Sequence, residues 1–238
     1  MKGSVKLHRY VTADWHGRFD VYQEVKEFLQ PDDIVYFVGD AIDRGPDSLK
    51  LAMNIYTDPQ FIYLKGNHED MLVKALTNAQ GLRIIDGRYW GQEEALAIWF
   101  QNGGRNTFYD LIELPKQEQE EWIKRFSALP TRQLIDDSMI GYPIYLVHSG
   151  DLDNELWSRH HFQVPAEQGI IIHGHTPVPL MKDYIPINET ILNDEACWYA
   201  GDTKVNIDLG TVWTGRTVLM DLDTFDEHYF DLGEIDNE

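Results

Sequence analysis

The chain has 238 residues, 43% of them hydrophobic and 25% charged, with a formal net charge of −20 and one cysteine. That length supports a single domain with a sizeable core, and the acidic excess argues against nucleic acid and anionic membranes as partners. No apolar run is long enough to span a bilayer, the N-terminus is too polar for a secretory signal, and Cys197 alone builds no disulfide framework. A cytoplasmic globular protein is therefore expected. A small anionic substrate stays open, because bound metal ions reverse the local field.

Tyr10-Val11-Thr12 reads as a short strand ending in Ala13-Asp14-Trp15-His16-Gly17. An amphipathic helix follows, with Phe19, Tyr22, Val25 and Phe28-Leu29 facing inward and Pro31-Asp32-Asp33 closing it. Ile34-Val35-Tyr36-Phe37-Val38 is a buried strand that delivers Gly39-Asp40-Ala41-Ile42-Asp43-Arg44-Gly45 at its C-terminal end. Open α/β sheets place their chemistry there. Pro46 opens a second helix, with Leu49, Ala52, Met53 and Tyr56 at helical spacing. Phe61-Ile62-Tyr63-Leu64 is a third strand, which delivers Lys65-Gly66-Asn67-His68-Glu69 before Met71, Leu72, Ala75 and Leu76 resume a helical pattern. Strands alternating with helices through short loops predict parallel pairing and right-handed crossovers.

From about residue 78 to 132 the pattern changes. Trp90 to Phe100 reads as a helix, Asn102-Gly103-Gly104 breaks it, and Lys116 to Ser127 is a second helix between Pro115 and Pro130. This is read as a helical insertion packed on the sheet domain, so that 1–238 forms one α/β domain. Strands resume at Ile144-Tyr145-Leu146-Val147 and Gly169-Ile170-Ile171-Ile172, and the remainder is strand-rich: Val205-Asn206-Ile207-Asp208, Thr217-Val218-Leu219-Met220 and His228-Tyr229-Phe230.

Five strand ends carry metal-ligand types: Asp14 with His16, Asp40, Asn67, His148 and His175. One such turn means little, since Asp, Arg and Gly are ordinary turn residues and a loop histidine is more often exposed than ligating. Five of them, each following an apolar strand, point to convergence at one sheet edge. Asp14 and His16 are two apart, so in an extended segment they point to one side. Oxygen and imidazole donors without thiolate suit Mn²⁺, Fe or Zn²⁺. Six donors exceed what one catalytic ion with open positions needs, but suffice for two ions about 3.5–4 Å apart that share a carboxylate. Asp40 is the natural bridge.

Asp14-Trp15-His16-Gly17, Gly39-Asp40-Ala41-Ile42-Asp43-Arg44-Gly45, Leu64-Lys65-Gly66-Asn67-His68-Glu69, His148-Ser149-Gly150 and Gly174-His175-Thr176 resemble, in order, the motifs of the calcineurin-like metallophosphoesterases. More narrowly they resemble the phosphoprotein phosphatase branch, with its bacterial and bacteriophage Ser/Thr phosphatases and the related symmetrical diadenosine tetraphosphate hydrolases. The resemblance implies a β-sandwich flanked by helices. It also implies Asp14, His16 and Asp40 on one metal and Asp40, Asn67, His148 and His175 on the other. His68 would be the general acid, oriented by Asp43, and Arg44 and Arg159 the phosphate clamps. Ala13 departs from the pattern, which usually has glycine there, and puts only local backbone geometry in question. His173 has no place in the pattern, and a packing role is expected for it.

The implied chemistry is direct attack of a metal-bridging hydroxide on phosphorus, with the arginines on the non-bridging oxygens and His68 protonating the leaving alkoxide. The leading expectation is a phosphomonoesterase acting on phosphoserine or phosphothreonine in proteins, or on small phosphoesters, with Mn²⁺ the expected metal. The alternative is a symmetrical bis(5′-nucleosyl)-tetraphosphatase using the same metals. Asn102-Gly103-Gly104 resembles the protein phosphatases more, and an acidic surface suits basic peptides better than polyanions. A non-catalytic, metal-binding regulatory relative would be marked by loss of a ligand, of His68 or of a clamp arginine, and none is lost.

Overall fold

The computed structural model describes residues 7–78, 81–82, 84–85, 88–89, 93–136, 138–160, 165–183 and 195–234. Three apolar strands joined by two helices open it: β1 (Arg9–Thr12), α1 (Phe19–Phe28), β2 (Ile34–Phe37), α2 (Ser48–Thr57) and β3 (Phe61–Tyr63). They pair in parallel, Tyr10 opposite Val35 and Val35 opposite Phe61, as the short crossovers predict. After α3 (Asn67–Leu76) come four two-residue strands, β4 (Thr77–Asn78), β5 (Gly81–Leu82), β6 (Ile84–Ile85) and β7 (Arg88–Tyr89), in two small hairpin pairings. Helices α4 (Glu93–Gln101), α5 (Arg105–Glu113) and α6 (Lys116–Ala128) follow. The chain then adds β8 (Arg132–Ile135), β9 (Ile144–Val147), β10 (Ile170–His173), β11 (Cys197–Tyr199), β12 (Lys204–Asn206), the short α7 (Thr211–Thr214), β13 (Arg216–Asp221) and β14 (Glu227–Asp231).

Two five-stranded mixed sheets result, ordered β14-β13-β1-β2-β3 and β11-β12-β10-β9-β8. Side-chain alternation, with its period of two, gives the first sheet two apolar faces. Val35, Phe37 and Leu219 join the cluster built with the helices, whereas Tyr36, Val38, Val218 and Met220 join Leu146, Ile172 and Val205 between the sheets. The insertion packs on the helical side, where Trp99, Leu111, Trp122, Ile123 and Phe126 enter the same cluster. Both layers thus confirm a sandwich flanked by helices. Among the described residues, no helix is long and apolar enough to cross a membrane.

In the helices and the insertion the structure differs from the sequence expectations in four places. Phe28 is 37% exposed, because it leans over the sheet edge against Tyr10, His228 and Phe230 and leaves Val21 and Val25 as the buried residues of α1. Tyr56 is 40% exposed. Its ring lies against Trp122 of α6 with the Arg125 guanidinium over it, while Leu51 and Ile55 fill the core. Helix α2 starts at Ser48 rather than Pro46. In the insertion, α5 and the two-residue strands accompany the expected helices, α4 begins at Glu93, and Trp90 lies outside the described residues.

Leu51→Ala should cost about 2–5 kcal/mol in urea unfolding, as expected for a fully buried leucine. Tyr56→Ala should cost distinctly less, and equal losses would mean that α2 buries the other face.

Candidate active site

Every expected ligand sits where a parallel strand ends: Asp14 after β1, Asp40 after β2, Asn67 after β3, His148 after β9 and His175 after β10. Trp15 anchors the first of these turns. It is fully buried, packs edge-on to Phe37, and donates its indole N–H to Thr12 and Thr217 hydroxyls at 3.1 and 2.9 Å. Its neighbours are thereby turned to the site, with His16 Nε2 4.0 Å from Asp14 Oδ1. The means is not the extended alternation expected. Asp14 and His16 have φ of 59° and 42°, so a left-handed turn brings them together. Asp40, Asp43, Arg44 and His175 are also left-handed, at 61°, 73°, 67° and 72°. Each such residue costs on the order of 1–3 kcal/mol and persists only where its surroundings over-determine it. Ala13 is not among them, so its methyl group is compatible with the turn. Glycine is required elsewhere: a Cβ would fall 2.0 Å from Asp40 Oδ1 at Gly66 and 1.8 Å from Asp14 Oδ2 at Gly174.

Asp40 is the hub. Its Oδ2 lies 3.4 Å from His148 Nε2, 3.7 Å from His16 Nε2 and 3.8 Å from His68 Nε2, while Oδ1 accepts the His68 backbone N–H at 2.9 Å. Burial opposes ionisation of Asp40, but His148, His68 and His16 outweigh it and hold its pKa well below the usual carboxylate range. Burial likewise opposes charge on His148, yet Asp40 and Asp14 push its pKa up to about 10. Asp14 goes the other way: burial, then the nearby Asp208 carboxylate, raises its pKa well above the usual range. His16 Nδ1 donates to Ile42 O at 2.9 Å and His148 Nδ1 to Val38 O at 2.8 Å, which leaves both Nε2 atoms facing Asp40. Ligating histidines are commonly fixed by such carbonyl contacts. Asn67 Oδ1 accepts from His148 Nε2 and His175 Nδ1, both at 2.8 Å.

His68 Nδ1 donates to Asp43 Oδ2 at 2.7 Å. Arg44 spans two imidazoles, with Nη1 2.8 Å from His16 Nε2 and Nη2 3.0 Å from His68 Nε2, and its guanidinium lies over the Trp213 ring at 5.2 Å. Arg159 reaches the other side of the cluster, where its Nε donates to Thr176 Oγ1 at 3.2 Å beside His175. All ten expected site residues are therefore brought together. His173 is not among them. Its ring nitrogens contact Tyr199 Oη at 2.6 Å and Gly174 O at 2.9 Å.

Two further carboxylates belong to this region. Glu69 is fully buried. Its Oε2 accepts the N–H groups of Asp40 and Gly66 at 3.0 and 2.8 Å, and its Oε1 accepts those of Ala41 and Ile42 at 3.0 and 3.4 Å and the Tyr63 hydroxyl at 2.8 Å. Its place three residues after Gly66, at the third position of α3, is a sequence signal for the Gly66 contact alone. Asp208 is buried after β12 and accepts Gly210 N–H at 2.8 Å, and burial raises its pKa to about 6. In the sequence it stands only as the last residue of the expected Val205-Asn206-Ile207-Asp208 strand.

The donor set fits metal ions. One ligand atom from each of Asp14, Asp40 and His148 lies within 4.8 Å of the others, and the same holds for His16, Asp40 and His68. His175 Nε2 is buried without a hydrogen-bond partner. Several buried carboxylates, one of them driven toward its neutral form, also call for positive charge at this point.

Comparison with known proteins agrees. The calcineurin-like phosphoesterase family matches residues 7–214. Serine/threonine-protein phosphatase 2 of Escherichia coli K12 is 31% identical over 140 residues, 58% of this chain and 56% of its own length. Serine/threonine-protein phosphatase 1 of Salmonella typhimurium LT2 is 31% identical over 200 residues, 76% of this chain and 84% of its own length. Other relatives are named bis(5′-nucleosyl)-tetraphosphatases, symmetrical or asymmetrical. A metallophosphoesterase from Sphaerobacter thermophilus shares the fold, with a TM-score of 0.58 at 13% identity over 95% of this chain and 88% of that one. With the match covering most of its length and the motifs converging on one buried cluster, this chain belongs to the calcineurin-like phosphoesterase family.

Proposed function

We propose that this protein is a dinuclear-metal-dependent phosphomonoesterase that hydrolyses phosphoserine and phosphothreonine in proteins. The carrying observation is the position of Asp40 Oδ2, 3.4 to 3.8 Å from the Nε2 atoms of three histidines. Asp14, His16 and Asp40 would hold one ion, and Asp40, Asn67, His148 and His175 the other. Mn²⁺ suits these donors best, with Fe and Zn²⁺ acceptable. When bound, such ions supply Lewis acidity at the phosphoryl group and make water acidic enough to ionise near neutral pH. Cys197, a buried free thiol, fits a reducing cytoplasm.

The chain's own groups do the rest. Arg44 and Arg159 bind the phosphoryl oxygens, a task for which a planar guanidinium is suited. Arg44 now donates to the Nε2 atoms of both His16 and His68. An arriving phosphoryl group competes for those N–H donors, and by taking them it leaves His68 Nε2 able to carry a proton. Asp43 holds Nδ1–H and stabilises the imidazolium, so Nε2 is the atom that delivers the proton to the departing alkoxide.

Protein substrates are favoured because the alignment with serine/threonine-protein phosphatase 1 spans most of both chains. Hydrolysis of bis(5′-nucleosyl) tetraphosphates is the second reading. Trp213, stacked on Arg44 and 51% exposed, offers an aromatic face to a nucleobase. An Mn²⁺-supplemented assay decides, with phosphopeptides expected to turn over faster than diadenosine tetraphosphate. The reverse order would replace the first reading by the second, and full activity after exhaustive chelation would sink both.

Asp40→Asn should lose at least one metal by elemental analysis while keeping its fold, because one carboxylate serves both ions. Two retained metals with normal turnover would place the bridge elsewhere. His68→Asn should keep both metals and lose about 10²–10⁴ in turnover on alkyl phosphates, with a smaller loss on p-nitrophenyl phosphate, whose leaving group hardly needs a proton. Asp43→Asn should act in the same direction but more mildly. Loss of metal from His68→Asn would make His68 a ligand instead.

A further inference from the structure

We infer that Trp99 and Thr107, from the helical insertion, are positioning residues for His68, acting through Asp43. The inference rests on the reading of His68 as the general acid. Trp99 Nε1 donates to Asp43 Oδ2 at 2.8 Å, the same oxygen that His68 Nδ1 reaches at 2.7 Å. Thr107 Oγ1 accepts the Asp43 backbone N–H at 3.1 Å, which directs its own proton to Asp43 Oδ1 at 2.6 Å. Asp43, Trp99 and Thr107 are fully buried and His68 is 1% exposed, so water does not replace any of these donors.

Three donors converge on one buried carboxylate. Both of its oxygens are occupied as acceptors, which places the His68 proton on Nδ1 and leaves Nε2 as the atom facing Arg44 and Asp40. An indole that merely filled the core would not need its N–H aimed at an oxygen. The Gly103-Gly104 break makes the approach possible. A Cβ at Gly104 would fall 2.3 Å from Trp99 Nε1, and the Gly103 carbonyl accepts the Arg44 backbone N–H at 3.1 Å. The insertion is therefore part of the proton-delivery apparatus and holds the clamp arginine beside it. The expected consequence is an effect on rate, and not only on the choice of substrate.

The test uses the full chain loaded with Mn²⁺ and compares Thr107→Val, which keeps shape and loses the hydroxyl, with Thr107→Ser, which keeps the hydroxyl. Trp99→Phe keeps the packing and removes the N–H, and carries the test where the valine variant fails to fold. Thr107→Val and Trp99→Phe should lower kcat on a phosphoserine peptide about 10–100-fold with KM unchanged and both metals retained. The loss should be smaller on p-nitrophenyl phosphate, and Thr107→Ser should recover most of it. Combined with His68→Asn, neither change should lower kcat further, since residues that act as a unit are non-additive. Wild-type kcat in both Thr107→Val and Trp99→Phe, or equal losses on both substrates, would overturn the inference while leaving the phosphatase reading intact. Failure of that reading looks different: His68→Asn would then show no dependence on the leaving group at all.

Discussion

The Glu69 carboxylate is the contact on which the site's geometry depends. Four backbone N–H groups, from Gly66, Asp40, Ala41 and Ile42, and the Tyr63 hydroxyl all end on its two oxygens. The loop after β2 is thereby tied to the start of α3, and with it Asp40 to Asn67 and His68. Without that acceptor, several buried donors would lose their partner, at about 1–3 kcal/mol each. The same anchoring allows Asp40, Asp43 and Arg44 to hold left-handed backbone conformations that an untied loop would relax.

Concentrating carboxylates here creates an electrostatic problem that the protein alone solves only in part. Asp14, Asp40, Glu69 and Asp208 are all buried within the same region. Cationic His148 compensates Asp40, whereas Asp14, facing Asp208, is driven toward its neutral form. Glu69 is also pushed upward, by burial and then by Asp40. Burying unpaired charge is costly unless opposite charge accompanies it. Cations bound among these groups would relieve the repulsion that the histidines leave, which ties metal affinity to the stability of the loops carrying the ligands.

The fold and the convergence of the motif-bearing turns were legible because each element of the signal is local. An apolar run followed at once by a polar, glycine-bearing turn marks a strand end, and parallel strands that end on one edge must bring such turns together. What stayed hidden depends on partners distant in sequence. Trp99 and Thr107 lie 56 and 64 residues from Asp43, and the first falls in an expected helix with no cue to where its N–H points, the second between the helices expected for the insertion. Glu69 could be seen as the partner of Gly66 but not of residues 40–42, since that contact exists only once β2 and β3 pair. The inward faces of α1 and α2 were misjudged at one position each, for a related reason. Phe28 and Tyr56 fit the helical period, yet each finds an aromatic neighbour at the margin of the core, whereas Leu51 and Ile55 take the interior. The left-handed turn at Asp14 and His16 gives no sequence cue without a glycine at those positions.

The two guanidinia are not equivalent, and this bears on where selectivity resides. Arg44 is fixed at several points: its backbone N–H bonds Gly103 O, its guanidinium touches His16 and His68, and it lies over the Trp213 ring. Arg159 reaches the site through Nε on Thr176 Oγ1, from the segment that follows His148. A preorganised donor binds with little loss of side-chain freedom, while an adaptable one can follow substrates of different shape. On the proposed reading the Arg44 side is also where His68 would deliver its proton, which would direct the leaving group to the corner between the insertion and the exposed Trp213 ring. That corner would thus couple two tasks. In that case the buried donors behind Asp43 would bear on proton delivery and the indole in front on which leaving groups fit beside it.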